Sequence, residues 1–258
     1  MIKSETAGRV ARVRFDRIDK KNAITAEMYQ QLGAALAAAE ADPKVRAVLL
    51  HGTADCFTAG NDVADFLKRA VVPAQAGTGS SPARALFDVL PHMKKPVVAA
   101  VGGPAVGIGS TMLLHCDLVY AAPNARFQLP FVPLGIVPEF GSTFLLPLIA
   151  GYQRAAKLLL LGRPFTAQEA QEAGIVSEVV PAERLLDHAL QAATALAELP
   201  PESIRLTKRL MKQRYGEALA AAIDEETRIF TERLSSPEAK EAMSAFLEKR
   251  KPDFSRFS

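Results

Sequence analysis

Two stretches of this chain pass from an apolar strand through a glycine-containing loop into a helix. The first is the predicted strand 45–51, followed by a turn and the loop 57–62. The second is the predicted strand 96–101, followed by a glycine-rich loop and an apolar helix at about 108–115. The first N–H groups of a helix lack partners inside it, and the helix dipole favours negative charge there. Each junction is therefore a potential anion site, and two junctions aimed at one point would form an oxyanion hole.

The candidate donors are the main-chain N–H groups of Asn61 and Ile108. Gly60 and Gly107 precede them and would let the backbone approach a ligand without a side chain in the way. Asp62 would cap the helix that follows the first loop. One such junction alone is usually structural. The second loop lacks the third glycine of a dinucleotide fingerprint and the chain has no Walker lysine, so NAD and nucleoside triphosphates are not expected ligands.

The surrounding pattern predicts an α/β domain. Residues 9–15 alternate in polarity as a strand does, and 26–41 form an alanine- and leucine-rich helical segment with Thr25 as its N-cap. A further strand is predicted at 117–121, and the last third of the chain is mostly helical. We interpret the Ala-, Gly-, Ser- and Pro-rich stretch 71–82 as a mobile loop. Strand, loop, helix and strand at this spacing favour repeated ββα units around one core.

Composition and charge exclude several classes of function. The 258 residues are 49% hydrophobic and carry a net charge of +3, without a Lys/Arg block typical of a nucleic-acid arm. There is no apolar run of the length that a membrane span needs. Two cysteines outside any Cys-x-x-Cys pair, and histidines without metal-ligand spacing, argue against a disulfide framework and a metal site. The N-terminus lacks a signal-peptide stretch and the C-terminus is not Ser-Lys-Leu, so the cytoplasm is the expected location.

Further motifs lie around the two loops in a fixed order. Lys20-Lys21-Asn22-Ala23 precedes the first loop, residues 95–101 lead into Gly107-Ile108-Gly109, and Cys116-Asp117 and Ala173-Gly174-Ile175-Val176 follow. Each motif alone is weak. The ordered set resembles the crotonase superfamily, also called the enoyl-CoA hydratase/isomerase family, over most of the chain.

The resemblance implies a crotonase-like spiral of ββα units over residues 1–200 and a C-terminal helical region over 201–258, which together form one structural domain. It implies acyl-CoA thioester substrates, bound with the carbonyl oxygen between the N–H groups of Asn61 and Ile108. Because CoA is part of the substrate, we expect no separate cofactor. The composition, charge and residue spacing described above predict no metal, membrane or nucleic-acid partner. Members of the family usually form trimers or dimers of trimers, so a homotrimer or a dimer of trimers is expected.

The resemblance also implies which residues contact the substrate. The lysine loop would meet the CoA phosphates, and aromatic and aliphatic side chains would line the acyl pocket. Solvated lysines and ordinary core packing are the alternative interpretations of these residues. The predicted substrate-binding residues are Lys21, Ala23, Ala59, Asp62, Val63, Phe66, Gly107, Phe131 and Leu134.

The positions of the catalytic carboxylates indicate the reaction. The hydratases of this family use two glutamates, and this chain has Thr111 and Phe131 there. Neither side chain can transfer a proton, which argues against hydration. The enzymes of the family that convert 3-enoyl-CoA to 2-enoyl-CoA carry a single catalytic glutamate, and Glu139 falls at its position. The resemblance therefore implies an isomerase with Glu139 as acid and base, although spacing alone would favour a solvent-facing loop residue.

Two other hypotheses remain open at this point. The chain could be another crotonase-family enzyme, above all a 2-enoyl-CoA hydratase with an unorthodox base. It could also be a CoA-binding module without activity. Glu139 beside two intact oxyanion loops argues against the non-catalytic hypothesis.

Overall fold

The computed structural model describes residues 1–62, 65 and 81–257. Most of the loop predicted at 71–82 lies outside the described residues. Val63 and Phe66, two members of the predicted substrate-binding set, also lie outside them.

The strands of the described chain form two sheets. Their bounds are β1 (Ile2–Ala7), β2 (Val10–Phe15), β3 (Ala47–His51), β4 (Val97–Val101), β5 (Pro104–Val106), β6 (Leu118–Ala121), β7 (Arg126–Gln128), β8 (Phe165–Thr166) and β9 (Glu178–Val179). The larger sheet has the order β1-β2-β3-β4-β6-β9, with β1 antiparallel to β2 and every other pair parallel. The smaller sheet has the order β5-β7-β8, in which β5 and β7 are parallel.

Helices follow or cover these strands, and most of them lie in the second half of the chain. Their bounds are α1 (Ala26–Ala41), α2 (Arg84–Phe87), α3 (Ile108–Thr111), α4 (Ser142–Ala150), α5 (Tyr152–Leu161), α6 (Ala167–Glu172), α7 (Leu185–Glu198), α8 (Pro201–Lys212), α9 (Gly216–Leu234) and α10 (Pro237–Leu247). Short 3-10 helices occupy Ile18–Lys20, Leu90–His92, Met112–His115, Val132–Leu134 and Ala182–Arg184. Within these described residues, no helix is long and apolar enough to cross a membrane.

The centre of the larger sheet is buried on both faces. Every residue of β3 and of β4 is buried, as expected for parallel strands that helices cover on each side. Successive side chains of a strand point to opposite faces. Val48 and Leu50 accordingly join the main core, whereas Leu49 packs in a second cluster with the apolar face of α7.

Consecutive ββα units build the fold. The unit β4-β5-α3 is followed by β6-β7-α4, and in each unit the first strand enters the larger sheet while the second enters the smaller one. Each unit therefore lies beside the previous one in both sheets, which is a spiral. The predicted α/β fold class, a spiral of ββα units with a C-terminal helical region, is confirmed.

Local signals predicted several element boundaries well. Helix α1 has the predicted bounds, and the Oγ1 atom of Thr25 accepts a 3.2 Å hydrogen bond from the Met28 N–H, as an N-cap does. The strands predicted at 9–15, 45–51, 96–101 and 117–121 end where β2, β3, β4 and β6 end, but each begins one or two residues too early. The start of a strand is set by its partner, which the local pattern does not contain.

The C-terminal helices pack on the core of the same chain. Leu219 and Ile223 of α9, together with Ala239 and Met243 of α10, belong to the main core. Helix α9 contacts α4, and α10 contacts the 3-10 helix Val132–Leu134. The C-terminal region therefore covers the segment that contains Glu139, while the division at residue 200 stays a prediction.

Candidate active site

The first glycine loop is held between two neighbouring segments of backbone. On one side the Ile24 N–H donates to the Gly60 carbonyl (2.8 Å) and the Asp62 N–H donates to the Ile24 carbonyl (2.9 Å). On the other side the Thr58 N–H donates to the Pro104 carbonyl at 2.9 Å. In this parallel bridge, the carbonyl of Gly60 and the N–H of Asp62 face Ile24, so the N–H of Asn61 points away from Ile24. The predicted donor is therefore directed to the side of the second loop.

The second loop ends in a tight turn at the start of α3. The carbonyl of Gly107 accepts hydrogen bonds from the N–H groups of Ser110 (2.9 Å) and Thr111 (3.0 Å). Ile108 is the first residue of α3, so its N–H lies among those that a helix cannot satisfy internally. A Cβ atom placed on Gly107 would meet no described atom within 4 Å. Among the described residues, the turn thus borders space in which a ligand oxygen could lie.

The two loops are in direct contact. A Cβ atom on Gly60 would lie 2.7 Å from the Val106 carbonyl oxygen, and Gly60 has φ +89°. A Cβ atom on Gly109 would lie 2.6 Å from Cγ2 of Thr58. Both approaches are too close for a side chain, so glycine is needed for the contact. Asn61 and Ile108 therefore lie on adjoining loops.

Asn22 joins the predicted CoA loop to the first oxyanion loop. Its buried amide donates to the carbonyls of Cys56 (3.1 Å) and Phe57 (3.0 Å), and its Oδ1 atom accepts from the Arg17 N–H at 2.8 Å. Its own carbonyl accepts a 2.6 Å bond from the Thr58 hydroxyl. This asparagine, with φ +55°, fixes the position of one loop relative to the other.

Four of the predicted substrate-binding residues lie together at this junction. The N–H of Ala59 donates to the Lys21 carbonyl at 2.9 Å. Arg17 forms a 2.7 Å ion pair with Asp62 and also donates to the Ala23 carbonyl at 2.9 Å. The Oδ1 atom of Asp62 accepts from the Asp65 N–H at 3.2 Å, which is the contact predicted for a helix cap. Gly107 borders the same region, because Val106 pairs with Thr58.

The Glu139 side chain is buried, with 5% of its surface exposed. Pro138 and Phe140 on either side of it are buried as well. The interpretation of Glu139 as a solvent-facing loop residue is therefore wrong. A carboxylate that is removed from water in this way is a candidate base.

Phe140 connects Glu139 to the helical segment that begins at Ile108. Its ring stacks on Phe87 (centroids 4.1 Å apart) and on His115 (4.0 Å). The predicted helix 108–115 is α3 continued by the 3-10 helix Met112–His115, and His115 ends it. The Nε2 atom of His115 lies 2.8 Å from the Phe140 carbonyl oxygen. A carbonyl only accepts, so Nε2 carries the hydrogen, and burial lowers the pKa of His115 to about 3, which keeps the ring neutral.

Phe131 and Leu134 precede Glu139 on the same loop. Phe131 is buried in the main core and Leu134 packs against it half-buried. The Phe131 carbonyl accepts a 3.1 Å bond from the Ile136 N–H. Thr111, at the other position where the family's hydratases carry a glutamate, is fully buried on α3.

Comparison with known proteins agrees with the fold. A sequence model of the family described as enoyl-CoA hydratase/isomerase matches residues 5–256. This chain belongs to that family. The enoyl-CoA hydratase/isomerase family member is 36% identical over 246 residues to the 2,3-dehydroadipyl-CoA hydratase of Escherichia coli strain K12, with 95% of each chain covered.

Two further similarities support the same assignment. Over 246 residues the chain is 37% identical to enoyl-CoA delta isomerase 2 of Rattus norvegicus, which covers 95% of this chain and 62% of the rat protein. The crystal structure of an enoyl-CoA hydratase/isomerase from Pseudoalteromonas atlantica T6c superposes with a TM-score of 0.92 at 40% identity, covering 98% of this chain and 99% of that one. This member of the enoyl-CoA hydratase/isomerase family is thus a crotonase-type acyl-CoA enzyme.

Several residues hold this crotonase-type site together in ways that the local sequence pattern did not predict. Arg17 and Asn22 tie the loops together, Tyr29 donates to the Asn61 side chain at 2.7 Å, and His115 holds the Phe140 carbonyl. Their partners lie between 5 and 45 residues away in sequence. Asn22 stands in the Lys20-Lys21-Asn22-Ala23 motif, and the apolar setting of His115 is equally typical of a core residue.

Proposed function

We propose that this enzyme shifts the double bond of a 3-enoyl-CoA to the 2-position, with Glu139 as its single acid and base. The observation that supports this most directly is the burial of Glu139 beside Phe140, which is bonded to the helical segment that starts at Ile108. A buried carboxylate and a backbone donor are thereby held by one packed unit.

The chemistry needs only one carboxylate. Glu139 would remove a proton from C2 of the 3-enoyl thioester, which gives a dienolate with its negative charge on the thioester oxygen. The N–H groups of Asn61 and Ile108 would stabilise that oxygen, and losing one such donor costs roughly 3–4 kcal/mol of transition-state stabilisation. Glu139 would then return the same proton at C4, which leaves the double bond between C2 and C3. The reaction is balanced without water, metal or a separate cofactor.

Two other described carboxylates near the loops are engaged elsewhere. Asp62 is ion-paired with Arg17 at 2.7 Å, and Asp65 accepts a 3.1 Å hydrogen bond from the Ala26 N–H. Thr111 and Phe131 cannot transfer protons. Hydration needs one group to activate water and one to protonate the α-carbon, so a site in which Glu139 is the one proposed proton-transfer group favours isomerisation.

The named relatives include both a hydratase and an isomerase at 36% and 37% identity, so overall similarity does not distinguish the reactions. The reaction products distinguish an isomerase from a hydratase. Purified enzyme is incubated with a 3-enoyl-CoA and, separately, with crotonyl-CoA. We expect conjugated 2-enoyl-CoA in the first case and no 3-hydroxyacyl-CoA in the second. Formation of 3-hydroxybutyryl-CoA at a comparable rate would refute the proposal in favour of a hydratase.

Glu139→Gln tests the assignment of the base. General base catalysis typically contributes about 10²–10⁴-fold, so we expect kcat to fall by at least about a hundredfold. Glu198→Gln, at an exposed position at the end of α7, is the matched control and should keep full activity. Unchanged turnover in Glu139→Gln would remove the proposed mechanism. CoA binding without exchange of α-protons into deuterated water would support a non-catalytic module instead.

We also propose a homotrimer or a dimer of trimers as the working form. Large apolar side chains are exposed on the helices of the second half of the chain, among them Tyr152 (76%), Leu160 (61%), Met211 (66%) and Phe246 (57%). Exposed apolar surface of this kind is typical of an interface between subunits. Sedimentation velocity at micromolar concentration would decide, and a single monomeric species would contradict the proposal.

A further inference from the structure

A carboxylate from the C-terminal helices reaches the turn that follows Glu139. Glu226 lies on α9, is buried, and accepts a hydrogen bond from the Gly141 N–H on Oε2 at 2.5 Å. Its Oε1 atom accepts from the N–H of Thr143 at 2.8 Å and from the hydroxyl of Thr143 at 2.5 Å. These bonds span more than 80 residues of sequence and are made only when α9 is packed on α4.

The bonds supply the start of α4 with the acceptor that it lacks. Helix α4 begins at Ser142 and its N-cap is Gly141, which has no side chain to accept from the first N–H groups. Glu226, which lies on α9, provides the missing acceptor. Burial raises the pKa of Glu226, while the hydrogen bonds from Thr143 and Gly141 lower it. Because both backbone groups can only donate, each carboxylate oxygen is fixed as an acceptor.

The turn held by Glu226 has an unusual backbone. Phe140 (φ +62°) and Gly141 (φ +71°) are consecutive residues in the left-handed region, and for a phenylalanine that conformation costs energy. A side chain at Gly141 would collide with Leu219 of α9. The carbonyl of Glu139 itself accepts from the Ser142 N–H at 3.3 Å, within the same turn. A strained turn of this kind persists only when its surroundings fix it.

Two hydrogen bonds fix this turn, one from a residue earlier in the sequence and one from a residue later in it. His115 bonds to the Phe140 carbonyl, one residue after Glu139, and Glu226 bonds to the Gly141 N–H, two residues after it. His115 belongs to the segment that starts at Ile108, whereas Glu226 belongs to the C-terminal region. The position of the Glu139 backbone is therefore set jointly by the core and by α9.

From this geometry we propose that Glu226 is a positioning residue for Glu139: it fixes the Phe140–Gly141 turn and makes the alignment of the proposed base depend on the docking of α9. The inference rests on the proposed role of Glu139 in double-bond isomerisation. Glu226 does not touch the reacting atoms in this scheme, and acts only through the backbone.

The first test is Glu226→Gln in the full-length enzyme with a 3-enoyl-CoA as substrate. The amide keeps the size of the side chain but turns one acceptor into a donor, which then faces either Gly141 or Thr143. A displacement of about 1 Å can cost about a hundredfold in rate, so we expect kcat to fall by roughly 10–100-fold. KM should stay within about twofold, because the loops of Asn61 and Ile108 are not altered.

The matched control is Glu241→Gln. Glu241 is also a buried glutamate of the C-terminal helices, on α10, and accepts hydrogen bonds from Arg250, Arg256 and the Asp253 N–H. It holds the chain end and not the Glu139 turn. We expect Glu241→Gln to lower the melting temperature yet to retain kcat. An equal loss of kcat in both variants would mean general destabilisation and would overturn the inference.

Thr143 provides a second, milder variant that keeps the test decisive if Glu226→Gln folds poorly. Thr143→Ser retains the hydroxyl bonded to Glu226 and should keep near-parent kcat, whereas Thr143→Val should lose part of it at unchanged KM. Full activity of both Glu226→Gln and Thr143→Val would refute the inference. If Glu139→Gln is inactive while those variants are active, only the positioning role fails. If Glu139→Gln is fully active, the proposed function itself fails.

Discussion

The hydroxyl of Tyr29 donates a 2.7 Å hydrogen bond to Oδ1 of Asn61, so helix α1 holds the loop that carries the first proposed oxyanion donor. Tyr29 is fully buried. In Tyr29→Phe the amide oxygen of Asn61 loses this donor while the ring packing is kept. We expect the free energy of unfolding to fall by about 1–2 kcal/mol, measured by urea denaturation. Because the loop is less well held, kcat for the 3-enoyl-CoA should fall by about tenfold with little change in KM.

Tyr152→Phe is the control for this prediction. Tyr152 is 76% exposed on α5, so removal of its hydroxyl should leave both stability and kcat unchanged. Parent-like turnover in Tyr29→Phe would mean that the hydrogen bond does not position the loop.

Gly60→Ala should separate the two oxyanion loops. The new Cβ would lie 2.7 Å from the Val106 carbonyl oxygen, and the backbone there has φ +89°, which an alanine adopts only with strain. We expect loss of more than about 1 kcal/mol of stability and a strong loss of kcat, since one donor moves away from the other. Thermal unfolding and steady-state kinetics would measure both effects.

Gly216→Ala is the matched glycine control. Gly216 begins α9, and an added Cβ would meet no described atom within 4 Å. Alanine should stabilise the helix by up to about 1 kcal/mol and leave kcat as it is. If Gly60→Ala behaved like Gly216→Ala, the close contact between the loops would not matter for the reaction.

The sequence predicted the parts of the molecule that depend on neighbouring residues. The bounds of α1 followed from the Thr25 cap and from Pro43 shortly beyond its end. The strand β1 was not predicted, because Lys3, Ser4, Glu5 and Thr6 give it no apolar alternation and only its pairing with β2 defines it.

The same distinction holds for the site. Asn61, Ile108 and Glu139 were identified through ordered motifs, since loops and glycines are visible along the chain. Tyr29 and Glu226 were not, because each acts on a partner that is 32 or about 85 residues away and only the packed fold brings them together. A buried carboxylate on an amphipathic helix looks in sequence like any solvated glutamate.

Phe140 allows the cost of the left-handed turn to be measured. Its φ is +62°, and its ring is fully buried between Phe87 and His115. Removing the ring should destabilise both Phe140→Ala and Phe140→Gly by about 3–5 kcal/mol. Glycine adopts positive φ freely, so we expect Phe140→Gly to be the more stable of the two by about 1 kcal/mol, the reverse of the usual order. Urea denaturation would compare them, and a more stable alanine variant would contradict the strained turn.

His115 should make the fold sensitive to acid. Its pKa is lowered from 6.5 to about 3, chiefly by burial, so the unfolded chain binds a proton that the folded protein does not bind between these values. The stabilising effect of the neutral ring is complete above pH 6.5 and is lost as the pH falls from 6.5 towards 3, by up to about 1.4 kcal/mol per pH unit. His51, whose pKa burial also lowers, acts in the same direction, whereas the raised pKa of Glu226 opposes it.

We expect His115→Gln, which can still donate to the Phe140 carbonyl, to show a shallower decline of unfolding free energy over this range than the parent. His188→Gln, on α7 and away from the Phe140 turn, is the control for loss of a histidine side chain as such, and a slope for His115→Gln identical to that of the parent would contradict the neutral, buried state of His115.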